Sequence, residues 1–270
     1  MDPYFKATID LVKTALAEDI GRGDLTSLGC LDPGPIKAQI VAKSEGVLSG
    51  VTPAQMVFDI VDSANSVDFE RQEGERFVYG DVIAQIDGFN QTVLASERVA
   101  LNFLGHLSGV ATMTRRFVDR IPAGSACRIL DTRKTTPGWR LLEKKAVVHG
   151  GGTNHRFGLY DMALVKDNHI ASAGSIAEAV AHMREYLTTR DFRLQFDAEG
   201  EKILIEVEVT GEAQLIEAIT AKVDRVLLDN QSIDSLALLV RIARRLDPTV
   251  QLEASGNVSL DTVAAILAMA

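Results

Sequence analysis

Residues 202–255, KILIEVEVTGEAQLIEAITAKVDRVLLDNQSIDSLALLVRIARRLDPTVQLEAS, alternate short apolar runs with longer amphipathic ones. KILIEVEV, DRVLLD and VQLEAS have the length of buried strands, whereas GEAQLIEAITA and SIDSLALLVRIARRL repeat their apolar residues with a helical period. The rhythm extends both ways. Upstream, CRILD precedes the helical GWRLLEKKAVV, and DMALVKD precedes SIAEAVAHMREYL; downstream, LDTVAAILAMA reads as a last helix. Strands alternating with helices predict a parallel sheet with right-handed crossovers. Every predicted strand ends in polar residues: Asp131 to Lys134, Lys166, Glu208, Asp229 and Ser255. That pattern belongs to an open α/β barrel, whose site lies at the carboxyl ends of its strands. A doubly wound sheet shares the rhythm but gathers its ligand contacts at one switch point.

The first part of the chain has a different grammar. Phe5, Ile9, Val12 and Leu16 give residues 4–18 one apolar helical face, and EDIGRGDLTS ends that helix at Gly21 and Gly23. Its Arg22-Gly23-Asp24 is a chance match to a cell-adhesion tripeptide. Residues 36–48 read as a strand and 53–61 as a short helix. VDFERQEGERFVYGDVIAQIDG reads as short strands with turns at Gly74, Gly80-Asp81 and Gly88. These turns lack the lysine of a swinging-arm carrier. Residues 92–118 form a long helical pattern that Gly105 and Gly109 are expected to bend or break. The expectation is an N-terminal α+β, sandwich-like domain over residues 1–110 and a catalytic α/β barrel over 111–270.

At 270 residues and 46% hydrophobic, the chain can build one large barrel or two smaller domains. A formal net charge of −9 argues against a nucleic-acid binder. Cys30 and Cys127 form neither a metal-ligand spacing nor a disulfide framework, as expected of thiols in a reducing cytosol. MDPYFKATID lacks the regions of a signal peptide, and no apolar run is long enough to span a membrane.

Against the acidity of the whole, Asp131–Ile170 carries Arg133, Lys134, Arg140, Lys144, Lys145, Arg156 and Lys166, with His149, His155 and His169. TTPG and GGG turns interrupt these cations, so they do not line one exposed helical face. A basic island of this kind points to a small polyanionic ligand, which the backbone of Gly150-Gly151-Gly152 is expected to approach closely. Arg133 and Lys134 lie just past a strand end and Arg156 follows the glycine run; guanidinium forks suit carboxylates and phosphates. Lys166, at the next strand end, is a compact phosphate ligand, and His155 beside Arg156 is placed to orient a substrate. Glu206 and Glu208 share a strand face by the period of two. Glu208 and Asp229, on successive strands, suit a hard divalent ion such as Mg²⁺; Glu206 fits a structural pairing with a barrel lysine equally well. Ser255-Gly256-Asn257, between a strand and a helix, can offer backbone N–H groups to a phosphate. No GK[ST] follows the glycine run, and no Ser-His-Asp or Cys-His arrangement is present.

DTRKTTPG, GGGTNHRFGL, LVKDNHI, IEVEV, LLDN and EASGN, in this order and spacing, closely resemble the quinolinate phosphoribosyltransferases; EDIGRGDLTS and SERVALNFLGHLSGVAT match as well. The resemblance covers nearly the whole chain. It implies a cytoplasmic enzyme of de novo NAD biosynthesis that converts quinolinate and phosphoribosyl pyrophosphate, with Mg²⁺, to nicotinate mononucleotide, pyrophosphate and carbon dioxide. It implies that Arg133, His155 and Arg156 hold the quinolinate carboxylates. Arg98 joins them from the neighbouring subunit of an obligatory homodimer, which a higher oligomer would extend. Lys134 and Lys166 contact quinolinate or the phosphoribosyl group. Glu208 and Asp229 bind Mg²⁺ and the ribose-pyrophosphate, and Ser255, Gly256 and Asn257 take the 5′-phosphate side. Lys134, Lys166, Glu208 and Asp229 form the implied catalytic set. The chain departs from the family pattern at Lys145, Val148 and Gly105. It also ends at Ala270, short of the family's further strand and phosphate-binding loop. A paralogue associated with molybdenum transport and a non-catalytic relative are the competing readings; the intact TRKTTPG and KDNHI favour the quinolinate enzyme.

Overall fold

Val12 and Leu16, one turn apart, sink the first helix, α1 (Pro3–Ile20), into the core of the N-terminal part. The computed structural model describes residues 3–196 and 202–269; Ala270, the last residue of the expected final helix, lies outside them. The chain packs as two compact units. One comprises Met1–Asp119 with Arg128–His155, the other Arg120–Cys127 with Arg156–Ala270.

In the first unit α1 is followed by α2 (Leu25–Cys30), a helix not expected from the sequence. The Asp24 carboxylate caps it, accepting hydrogen bonds from the Thr26 and Ser27 backbone N–H groups at 3.0 and 3.1 Å. The aspartate of the Arg-Gly-Asp tripeptide is therefore a helix cap. Next come β1 (Pro35–Val41), β2 (Gly46–Val47), α3 (Val51–Val61), β3 (Ser66–Phe69), β4 (Arg76–Phe77) and β5 (Val82–Phe89). β5 pairs antiparallel with β1 and β3, and β2 with β4. The core gathers Leu48, Val57, Phe58, Ile86, Phe103 and Leu107.

The long α4 (Asn90–Val118) runs unbroken through Gly105 and Gly109. Both glycines are exposed, and a Cβ on either would meet nothing within 4 Å. Each costs about 1 kcal/mol of helix propensity, which the buried Phe103, Leu104, Leu107, Ser108 and Ala111 of the opposite face offset. α5 (Arg140–His149) packs on the same core through Leu142 and Ala146. The expected CRILD strand shrinks to a single parallel bridge, Leu130 with Thr153. Its partner is the end of the glycine turn and not a strand, so the ladder cannot extend.

The second unit holds β6 (Ala163–Val165), α6 (Asp167–Ala173), α7 (Ile176–Thr188), α8 (Arg190–Phe196), β7 (Ile205–Val209), α9 (Glu212–Thr220), β8 (Arg225–Asp229), α10 (Ile233–Leu246), β9 (Gln251–Ser255) and α11 (Val263–Leu267). The four strands form one parallel sheet in chain order, as in the wall of an open α/β barrel. Serines cap α7 and α10: Ser175 Oγ accepts from Glu178 N and Ser232 Oγ from Ser235 N. The period of two divides the sheet. Val207, Val209, Val226, Leu228, Leu252 and Ala254 join the apolar cluster shared with the helices. Glu206, Glu208, Arg225, Asp229, Glu253 and Ser255 occupy the other face.

Candidate active site

The polar face of that sheet changes character along its length. At its amino end Glu206 is fully buried. Arg225 Nη1 lies 3.9 Å from Glu206 Oε2 and 3.5 Å from Glu253 Oε2. A cation beside Glu206 is thus an arginine of the next strand. At the carboxyl end sit the predicted ligands. Lys166, directly after β6, forms an ion pair with Glu208 of β7. Glu208 is in register with Leu227, so Asp229, two residues further, is its diagonal neighbour on the same face. Asp229 is in register with Ser255 and accepts from Asn230 Nδ2 at 2.7 Å. Gly256 has φ +84°, and a Cβ there would lie 2.0 Å from Asn230 Oδ1; the Asp229-Asn230 and Ser255-Gly256-Asn257 turns interlock only because this residue is glycine. Arg156 belongs to this unit, and its guanidinium donates to Met162 O at 3.2 Å.

The other candidates belong to the first unit. Arg98 is exposed on α4. Arg133 and Lys134 lie in the loop ahead of α5, with Lys134 exposed. Among the described residues the buried Nε of Arg133 has no hydrogen-bond partner. Glu143 anchors the Thr136 end of this loop: its carboxylate accepts from Thr136 N at 3.1 Å and contacts His106 Nε2 at 2.8 Å. Burial pushes the Glu143 carboxyl up, but the hydrogen bonds from Thr136 and His106 outweigh it and hold its pKa below the usual value.

The backbone of His155 is fixed by Asp131, expected only as a polar strand end, and by Lys144, expected only as one cation of the basic island. Asp131 Oδ1 accepts from Lys144 Nζ at 2.5 Å and from His155 N at 2.8 Å, and Lys144 Nζ also donates to His155 O at 3.0 Å. Lys144 is 1% exposed. A lysine inside an apolar helix stretch was the one available signal, and it reads as easily as a solvated charge.

The glycine run serves packing. A Cβ on Gly150 would lie 2.4 Å from Ala111 O, and one on Gly152 would lie 2.8 Å from Thr114 Cγ2. Gly151 adopts φ +86° and faces Arg115 and Val118. What approaches these glycines is α4 and the preceding turn of α5, not the ligand expected from their flexibility.

A two-domain α/β chain whose parallel sheet carries cations and carboxylates at one carboxyl edge is of the kind that handles phosphorylated substrates. The chain belongs to the quinolinate phosphoribosyl transferase family. Residues 10–108 match that family's N-terminal domain and residues 110–270 its C-terminal domain. A probable nicotinate-nucleotide pyrophosphorylase [carboxylating] of Bacillus subtilis is 43% identical over 249 residues, covering 92% of this chain and 80% of that protein. Its counterpart in Synechocystis is 41% identical over 251 residues, covering 93% and 81%. The solved nicotinate-nucleotide pyrophosphorylase of Francisella tularensis superposes with a TM-score of 0.88 at 36% identity, covering 98% of this chain and 88% of that one.

Proposed function

We propose that this chain transfers the phosphoribosyl group of phosphoribosyl pyrophosphate to quinolinate with loss of carbon dioxide, giving nicotinate mononucleotide for NAD synthesis. The observation that carries the reading is the meeting of Lys166, Glu208, Asp229 and Ser255 at one sheet edge in a chain that matches the family across both domains.

Arg133, His155 and Arg156 hold the two carboxylates of quinolinate, with Arg98 contributed by a second copy in a homodimer. An arginine with a buried, unpartnered Nε is the kind of donor that a carboxylate would satisfy. Lys134 and Lys166 face the anionic leaving group, and Ser255, Gly256 and Asn257 take the 5′-phosphate. Glu208 and Asp229 fit a hard divalent cation, because their carboxylates are diagonal neighbours on one sheet face. Mg²⁺ held there would supply charge neutralisation for the pyrophosphate.

The chemistry follows from positions and charge. As the C1′–O bond to pyrophosphate breaks, the ribosyl carbon gains positive character, and Lys134 and Lys166 stabilise the charge on the departing oxygens. The quinolinate nitrogen, oriented by its carboxylates, forms the new C–N bond. The nitrogen then carries a positive charge, so the carboxylate on the adjacent carbon leaves as carbon dioxide. The electron pair remains on that carbon, stabilised by the neighbouring cationic nitrogen, until a proton replaces the carboxylate. No covalent enzyme intermediate is needed.

Among the described residues no helix is long and apolar enough to cross a membrane, and Cys30 and Cys127 are free thiols. The test is direct: purified chain with quinolinate, phosphoribosyl pyrophosphate and Mg²⁺, followed by mass spectrometry. Nicotinate mononucleotide should appear with wild type and be lost with Lys134→Ala. Binding of quinolinate without product would favour a non-catalytic relative.

A further inference from the structure

The buried ion pair between Asp131 and Lys144 has no part in the chemistry proposed above, yet it hydrogen-bonds directly to the backbone of His155. We infer that Lys144 is a positioning residue that, through Asp131, sets His155 and the Thr132–Lys134 loop for quinolinate. This rests on the reading of His155 and Arg133 as carboxylate ligands.

Side-chain exposures of 1% for Lys144 and 7% for Asp131 place both charges out of water. Burying such a pair is costly, and an apolar pair of the same volume often serves stability as well or better. Its retention therefore points to something apolar residues cannot do. The ammonium and the carboxylate grip His155 by both its peptide N–H and its carbonyl. The Asn154 carboxamide, turned with its NH₂ toward Asp131, donates to Asp131 Oδ2 at 2.7 Å and to Lys144 O at 2.9 Å. Both oxygens of Asp131 are thus engaged. Asp131 N in turn donates to Thr153 O at 3.2 Å, and Thr153 N to Ile129 O at 2.8 Å. The chain just before Thr132-Arg133-Lys134 and the chain carrying Asn154-His155 are held side by side by this one cluster. A shift of the pair would displace His155 and the Arg133 loop together.

The test compares Lys144→Met, Asn154→Ala and wild type in calorimetric titration with quinolinate and in steady-state kinetics with both substrates. Lys144→Met should raise the quinolinate Kd and KM about tenfold or more, because small displacements of binding groups cost that much. The KM for phosphoribosyl pyrophosphate should stay within about twofold of wild type. A merely structural role would lower kcat with the active fraction and leave both KM values unchanged, and that result overturns the proposal. If Lys144→Met does not fold, Asn154→Ala decides. It keeps the ion pair, and it should still raise the quinolinate KM selectively; an unchanged value overturns the proposal. A wild type without turnover overturns the proposed reaction itself, whereas an active wild type with an insensitive Lys144→Met overturns this inference alone.

Discussion

Gly150→Ala should destabilise the first unit although its backbone conformation suits alanine. Gly150 has φ −73° and ψ −5°, within reach of any residue. The obstacle is space. The new Cβ would lie 2.4 Å from the carbonyl oxygen of Ala111 and 2.7 Å from Thr114 Cβ, both on α4. Carbons rest about 3.5–4.0 Å apart, so α4 and α5 must separate locally by roughly 1 Å. Backbone atoms cannot swing aside as a side-chain tip would. Overpacking of this kind costs about 1–3 kcal/mol, and about 2 kcal/mol lowers the melting temperature by roughly 4–8 °C. Gly29→Ala is the control, since Gly29 lies within α2 and its Cβ would meet nothing within 4 Å. That substitution should gain about 0.5–1 kcal/mol. Differential scanning calorimetry on the three proteins reads both signs. A Gly150→Ala protein melting at or above wild type would refute the assignment of the glycine run to packing.

Other consequences follow from the polar contacts. Glu143 is held below its usual pKa of 4.5, so its contribution is complete above that value and is lost as pH falls below it. Glu143→Gln should therefore melt lower than wild type near neutrality, by about 1–2 kcal/mol of stability, with the gap closing in thermal scans below pH 4.5. His149 lies against Ser49 Oγ at 2.9 Å and Glu73 Oε2 at 3.3 Å. Burial lowers its pKa, Glu73 opposes that and Lys145 adds to it. A histidine kept neutral contributes stability above 6.5 that is lost as pH falls through the folded value, so His149→Asn should flatten the acid-side decline in melting temperature. Lys166→Ala should lower kcat/KM for phosphoribosyl pyrophosphate by about 10²-fold or more if it stabilises the leaving group. An unchanged value would remove Lys166 from the chemistry.

The sheet edge was legible because a parallel strand buried on one face writes its polar residues at fixed parity, and IEVEV, RVLLD and QLEAS each do so. Glu208, Asp229 and Ser255 could be placed on one edge by counting. The approach of Arg225 to Glu206 could not, because strand register decides which side chains stand side by side. α2 escaped notice because Gly23 precedes and Gly29 interrupts a six-residue segment whose only strong helix signal is the Asp24 cap. Gly105 and Gly109 suggested a break because propensity is local, whereas α4 is held by the core beneath it. The glycine run suggested a ligand for a similar reason: sequence shows that a Cβ is missing but not what occupies its place. Asp131 read as a polar strand end and Lys144 as one cation of a basic island, since only the fold puts both out of water.

Coupling between the two bond changes tests the central reading most directly. Quinolinate labelled with ¹⁴C in the carboxylate next to the ring nitrogen would be incubated with the chain, phosphoribosyl pyrophosphate and Mg²⁺, and released ¹⁴CO₂ counted against pyrophosphate. The account predicts equal amounts of each, none without phosphoribosyl pyrophosphate, and loss of both in Glu208→Gln. Carbon dioxide released without the second substrate, or pyrophosphate formed without decarboxylation, would contradict it.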